Sequence, residues 1–219
     1  MSNGVISMPH PFRLCYITDR KSLKPDELPQ RILAAVRAGV DIIQIREKDL
    51  STRDLIALTQ RAVDAARGTP TRIVVNDRLD VALALGAAGV HLGTQSIPTE
   101  AARRIGPKDF LIGVSCHSLD EAEAAQAAGA DYIVLGPVFE TGSKLQYGPP
   151  LGLDKLREAT AKVSIPVLAL GGITVERVKP CLDAGASGIA GISIFQSCPS
   201  IEVLVQTLDS NFARSDLDP

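Results

Sequence analysis

Tryptophan is absent from this 219-residue chain, and Phe and Tyr together reach only 4%. Few rings are therefore available to stack on bases. Positive charge is not in excess either, since 23 Lys and Arg stand against 25 Asp and Glu for a net charge of −2. Together these shortages exclude a nucleic-acid binder working through a basic surface. The four cysteines, Cys15, Cys116, Cys181 and Cys198, contain no CxxC and no companion His at metal-binding spacing. They fit buried thiols in a reducing compartment. No apolar run approaches the ~20 residues that cross a bilayer. The opening MSNGVISMPHPF also lacks the basic-then-apolar pattern of a secretion signal. The expectation is a cytoplasmic protein with small-molecule partners, meeting neither nucleic acid nor membrane.

What is present is a repeated phrase: AGVDIIQIR at 38, AGVHLG at 88, AGADYIVLG at 128 and AGASGIAGI at 184. Each follows an amphipathic, Ala-rich stretch, and its Gly is placed to end a helix before a strand. Between these lie four more β-rich runs, LCYIT (14–18), RIVVN (72–76), FLIGVS (110–115) and IPVLALGG (165–172). Helical segments fill the gaps, with N-cap signals at Ser51 (Asp54 following), Ser118 (Glu121 following) and Thr174. Eight strands alternating with helices predict a parallel sheet closed as a (β/α)8 TIM barrel. An open doubly wound sheet is the competing architecture, but no GxGxxG follows the first strand. The expected layout is an extension over 1–12, a single barrel over 13–210, and a polar, frayed tail over 211–219.

In such barrels chemistry sits at the C-terminal strand ends, with phosphate often bound after strands seven and eight. Residues two apart on a strand share a face, so Gln44, Arg46 and Lys48 project together, while Ile45 faces the helical layer. An amide, a guanidinium and an ammonium at one strand end suit a phosphate group. The competing reading is a solvated strand end neutralised by Glu47 and Asp49. Asn76-Asp77 either presents one hard oxygen ligand to Mg²⁺ or caps the helix beginning near Arg78. Gly171-Gly172 alone reads as a tight turn. With Gly191-Ile192-Ser193 in the next unit, it reads as a phosphate cup. In SCHS the period of two sets Ser115 and His117 on one face and Cys116 on the other, against a Cys–His nucleophilic pair. The long loop over 136–152 carries Thr141, Ser143 and Lys144, two hydroxyls and a cation suited to an anion.

QIREK, VNDR, GVHLG, GVSCHS, GPVFETGSK and LALGGIT in combination resemble the family of thiamine phosphate synthase and its relative TenI, the thiazole tautomerase. The likeness spans residues 13 to 210. It implies that Gln44, Arg46, Lys48 and Asn76 hold a pyrimidine diphosphate, that Asp77 binds Mg²⁺, and that Ser115 and Lys144 touch the diphosphate. Thr141, Ser143, Gly172, Ile192 and Ser193 would hold a thiazole phosphate. The implied reaction expels pyrophosphate from the pyrimidine methylene, which the thiazole nitrogen attacks. A homodimer is also implied by the resemblance alone.

One departure falls on the metal. After GVHLG the synthases usually carry Gln-x-Asp, but here the chain reads Thr94-Gln95-Ser96, so Ser96 stands where a second carboxylate belongs. TenI-like relatives also lack that Asp, and Phe139-Glu140-Thr141 resembles their branch. A tautomerase moves a proton on a thiazole carboxylate phosphate and needs no metal–diphosphate clamp. His117 would be its acid–base group, since imidazole titrates near neutrality. A strand-end His bonded to nearby backbone is the alternative for that residue. The Gln44/Arg46/Lys48/Asn76/Asp77 set favours the synthase. A tautomerase and a non-catalytic thiazole-phosphate-binding barrel remain the alternatives.

Overall fold

A computed structural model describes residues 12–141 and 149–215. Eight strands, β1 (Leu14–Ile17), β2 (Ile42–Ile45), β3 (Arg72–Asn76), β4 (Gly89–Leu92), β5 (Leu111–Cys116), β6 (Tyr132–Leu135), β7 (Val167–Leu170) and β8 (Gly188–Gly191), close in sequence order. All pairings are parallel, and β8 returns to β1. Helices α1 (Leu28–Arg37), α2 (Thr52–Ala66), α3 (Leu79–Ala84), α4 (Thr99–Ile105), α5 (Leu119–Ala127), α6 (Gly152–Lys162) and α7 (Val175–Asp183) follow the first seven strands. The short α8 (Ser193–Gln196) and α9 (Ile201–Ser215) follow the eighth. This is the expected (β/α)8 barrel. None of the described helices is long and apolar enough to cross a membrane.

Strands buried on both faces read as continuous apolar runs, and IIQI and YIVL are buried throughout. Alternation then sorts the side chains into two cores. Cys15, Ile17, Ile42, Val74, Leu111, Tyr132, Val134, Leu168 and Ala190 fill the barrel. Ile43, Ile45, Val75, Cys116 and Ile133 pack outward against the helices. The repeated Gly ends its helix with positive φ in three units, at Gly39, Gly129 and Gly185 (81°, 90° and 89°). In the remaining unit that role moves to Gly86 (62°). Gly89 is instead a strand residue, and a Cβ there would lie 2.2 Å from the Leu111 carbonyl oxygen.

Ser51 and Ser118 cap α2 and α5 as expected, each accepting a backbone N–H, from Asp54 and Glu121 respectively. Thr174 occupies the N-cap position of α7 but its side chain makes no capping bond.

Both chain ends reach further into the fold than the composition suggested. Phe12 is buried in the barrel interior and meets Tyr132 edge-on at 5.7 Å, so the core begins before residue 13. The segment expected to fray continues as α9 to Ser215. Val205, Leu208 and Phe212 are buried, and Arg13 lies over the Phe212 ring at 5.2 Å. Their spacing of three and four is helical, and it outweighs the polarity of the neighbouring residues.

Candidate active site

Because the strands are parallel, their C-terminal ends form one rim. The β2 end is fixed from β1, since Thr18 Oγ1 accepts the Arg46 N–H at 2.9 Å. The charged residues beyond it divide by side. Glu47 is buried, accepts the Arg20 backbone N–H at 3.1 Å on each oxygen, and faces Arg20 Nε at 3.8 Å. Burial raises its pKa, an effect that its hydrogen bonds partly oppose. Asp49 takes the Arg20 guanidinium at 2.5 Å and the Lys21 ammonium at 3.1 Å. Neither carboxylate neutralises the Gln-x-Arg-x-Lys end, which rules out the solvated-pair reading. Among the described residues, the Arg46 guanidinium makes no ion pair, and Lys48 has only a loose one to Asp77 at 3.7 Å.

Asp77 is the node of the site. It adopts φ 61°, and its carboxylate does not cap α3, whose N-cap residue is Arg78. One oxygen accepts the Ser96 hydroxyl. The other accepts Asn76 Nδ2 at 2.6 Å. A carboxylate can only accept, so it dictates that the Asn76 amide turns its Oδ1 the opposite way. There Oδ1 receives Gln44 Nε2 at 2.9 Å. Gln44 Oε1 is thereby left buried with no hydrogen-bond partner. A buried acceptor without a donor costs stability, and a ligand can supply that donor.

The donors around Asp77 are hard oxygens, with Ser96 Oγ itself held by the Gly93 N–H at 2.7 Å. No group of three or more His, Cys, Asp or Glu side chains able to hold a metal occurs among the described residues. One half-exposed carboxylate beside a hydroxyl fits a Mg²⁺ ion that takes most of its shell from water and phosphate oxygens.

On the next strands, His91 and Ser115 point inward. His91 Nε2 lies 2.9 Å from Ser115 Oγ, and Nδ1 lies 3.2 Å from Tyr132 Oη. Burial drives the His91 imidazole down to about 4, with Asp77 pulling it upward and Arg46 adding to the depression. Cys116 packs outward as expected, and burial pushes its thiol up to about 12. His117 is one residue past β5, with its N–H 2.6 Å and its Nδ1 3.3 Å from the Glu121 carboxylate at the start of α5.

The remaining expected residues that the structure describes lie on the β6–β8 arc, which the strand order sets across the mouth from β2 and β3. Gly172 has φ 62°, and a Cβ there would meet the Glu140 carbonyl oxygen at 2.5 Å. The turn is therefore also a packing contact with the loop after β6. Arg177 fastens it, donating to the Gly172 carbonyl at 2.7 Å and stacking on Phe139 at 4.7 Å. Ile192 packs on the barrel interior, while Ser193 begins α8 and is exposed. Thr141 is half-buried; Ser143 and Lys144 lie outside the described residues.

Sequence reasoning gave His91, the histidine of the GVHLG motif, no role, and it passed over Tyr132, Arg20 and Arg177. The available signal for the first pair was Gly113 inside an otherwise apolar strand, since a strand Gly marks a close approach. Nothing local announced Arg20, whose partners Glu47 and Asp49 are 27 and 29 residues away, or the stacking of Arg177 on Phe139.

A sequence profile described as thiamine monophosphate synthase matches residues 14–195. The thiamine-phosphate synthase of Roseiflexus sp. (strain RS-1) is 41% identical over 199 residues, covering 91% of this chain and 84% of that protein. That of Methanoculleus marisnigri is 48% identical over 159 residues, covering 73% and 75%. Among solved structures, thiamine phosphate pyrophosphorylase from Pyrococcus furiosus superposes with a TM-score of 0.83 at 35% identity, covering 93% of this chain and 96% of that one. The chain belongs to the thiamine monophosphate synthase family.

Proposed function

We propose that the barrel is a thiamine-phosphate synthase that joins a hydroxymethylpyrimidine diphosphate to a thiazole phosphate and releases pyrophosphate. The observation that carries this reading is the pair of cations left available at the β2 end. Glu47 and Asp49 are taken up by Arg20 and Lys21, so Arg46 and Lys48 face the mouth without neutralising partners of their own strand end. A diphosphate is the ligand class that two such cations and the adjoining Asp77 suit best.

In this reading Arg46 and Lys48 grip the diphosphate, and Gln44 Oε1 takes a donor from the pyrimidine. Asn76 keeps that amide oriented, and Ser115 and Lys144 add donors to the diphosphate. Thr141, Ser143, Gly172, Ile192 and Ser193 hold the thiazole phosphate on the opposite arc. The bond from the methylene carbon to the diphosphate oxygen breaks with both electrons leaving on oxygen. The thiazole nitrogen then forms the new bond to that carbon. Arg46 and Lys48 stabilise charge as it grows on the leaving group. Mg²⁺ shared between Asp77 and the diphosphate would neutralise further charge there. His117 has no part in this scheme.

The test supplies the purified protein with both substrates, or with the carboxythiazole phosphate alone, with and without Mg²⁺. Mg²⁺-dependent pyrophosphate release is expected, falling roughly 100-fold in Arg46→Ala. Metal-independent isomerisation of the thiazole without pyrophosphate release would instead identify a tautomerase. Binding of thiazole phosphate with no turnover would identify a non-catalytic barrel.

A further inference from the structure

His91 and Tyr132 are buried inside the barrel, and none of the substrate contacts above uses them. They come from β4 and β6, and the strand between them makes their meeting possible. Register pairs His91 with Gly113 and Gly113 with Tyr132. A Cβ on Gly113 would lie 2.4 Å from Tyr132 Oη and 2.6 Å from His91 Nδ1, so the absent side chain is the space in which the phenol and imidazole touch.

The protons in this chain can be assigned from its partners. Tyr132 is fully buried, and His91 is the hydrogen-bond partner of its hydroxyl. Burial holds the phenol pKa well above its ordinary value, so the O–H stays intact. A buried O–H without an acceptor is costly, so Tyr132 donates to Nδ1. The neutral ring then carries its single proton on Nε2, which donates to Ser115 Oγ at 2.9 Å. The geometry points to Tyr132 and His91 as positioning residues that fix the Ser115 hydroxyl as a hydrogen-bond donor toward an anionic oxygen at the barrel mouth. In the opposite tautomer Ser115 would donate inward to Nε2 and turn only lone pairs to the mouth, which repel a phosphate oxygen. The inference rests on the reading of Ser115 as a diphosphate contact.

Two measurements test it and separate its failure from failure of that reading. Long-range ¹H–¹⁵N spectra of the free full-length protein at neutral pH report which His91 nitrogen is protonated, without ligand. The signal is assigned among the three histidines by its loss in His91→Gln. Nε2–H is expected, and an Nδ1–H ring overturns the inference. Calorimetry with pyrophosphate and Mg²⁺ then reads the consequence. Ser115→Ala and His91→Asn should each weaken binding roughly tenfold, the scale of one hydrogen bond to a charged group. The double variant should be no weaker than Ser115→Ala, because both remove one contact. His91→Gln, whose amide nitrogen reaches the position of Nε2, should recover most of the affinity. Additive losses, or equal losses in the Asn and Gln variants, refute the positioning role. If Ser115→Ala binds pyrophosphate as tightly as the unmodified protein, the diphosphate reading of Ser115 fails and the inference falls with it.

Discussion

Replacing Gly113 by Ala would add one methyl group to the middle of β5, where there is no room for it. Its Cβ would sit 2.2 Å from Tyr132 Cζ, 2.4 Å from Tyr132 Oη and 2.6 Å from His91 Nδ1. Neither ring can swing aside cheaply. Tyr132 is fully buried with Phe12 edge-on at 5.7 Å, and the His91 ring centroid also lies 5.7 Å away. Overpacking of this kind costs about 1–3 kcal/mol. Parting the rings breaks the Tyr132–His91 bond and strands a buried phenol, for about 1–3 kcal/mol more. The combined loss is therefore about 4 kcal/mol, which for a chain of this size lowers Tm by roughly 8–16 °C. Urea and thermal unfolding of the two proteins by circular dichroism give both numbers. Gly113→Ala combined with Tyr132→Leu should recover much of the loss, since the smaller side chain vacates the contested space. A Tm within about 2 °C of the unmodified protein would show that the barrel interior is not packed as described.

Acid should destabilise the fold through His91. Burial lowers its pKa from the ordinary 6.5 to about 4 in the fold, so the unfolded chain binds the proton more tightly, and stability present above pH 6.5 is lost as pH falls toward 4. That lowering amounts to about 3 kcal/mol, measured as the difference in urea stability between the unmodified protein and His91→Asn at pH 7 and pH 4. Glu47 and Asp41, whose pKa values burial raises, act in the opposite sense, and that subtraction removes them. A difference independent of pH contradicts the burial of a neutral imidazole. Ser96→Asp should lower the Mg²⁺ concentration that half-saturates pyrophosphate release by roughly tenfold, the scale of one charged contact. An unchanged Mg²⁺ titration curve would remove Ser96 from the metal's surroundings. Phe212→Ala should cost about 3 kcal/mol in urea unfolding, as expected for a buried Phe, whereas a frayed tail would leave stability untouched.

The barrel was legible because its signals are local. Five of the eight strands are buried at every position, and three of the four repeated glycines mark helix ends by their backbone conformation. The site was legible only as far as strand periodicity reaches. Gln44 to Ile45 obey the alternation, but β2 ends there, and Glu47 turns back to the loop after β1. Which carboxylate neutralises which cation is decided by residues 27 to 29 positions away, and no local pattern carries that. The same holds for Tyr132 and His91, which are 41 residues apart and meet only because Gly113 lies between them. The tail misled for the opposite reason. Polar residues surround the helical spacing of Val205, Leu208 and Phe212, and composition hid what periodicity would have shown.

Asp77 joins the parts of the site that the sequence presented separately. A carboxylate at that position orients Asn76, Asn76 orients Gln44, and Gln44 is left with one buried acceptor unpaired. In the proposed synthase, selection of the pyrimidine and management of the diphosphate charge would therefore depend on one side chain. The hydroxyl of Ser96 serves the first task fully, because it donates to Asp77 and is itself held by the Gly93 N–H. It adds no negative charge to the second. With one carboxylate rather than two beside them, Arg46 and Lys48 together with Asp77 keep a net positive charge. The proposed synthase would then attract a diphosphate through the protein alone, and much of a Mg²⁺ ion's coordination would fall to the substrate's own oxygens.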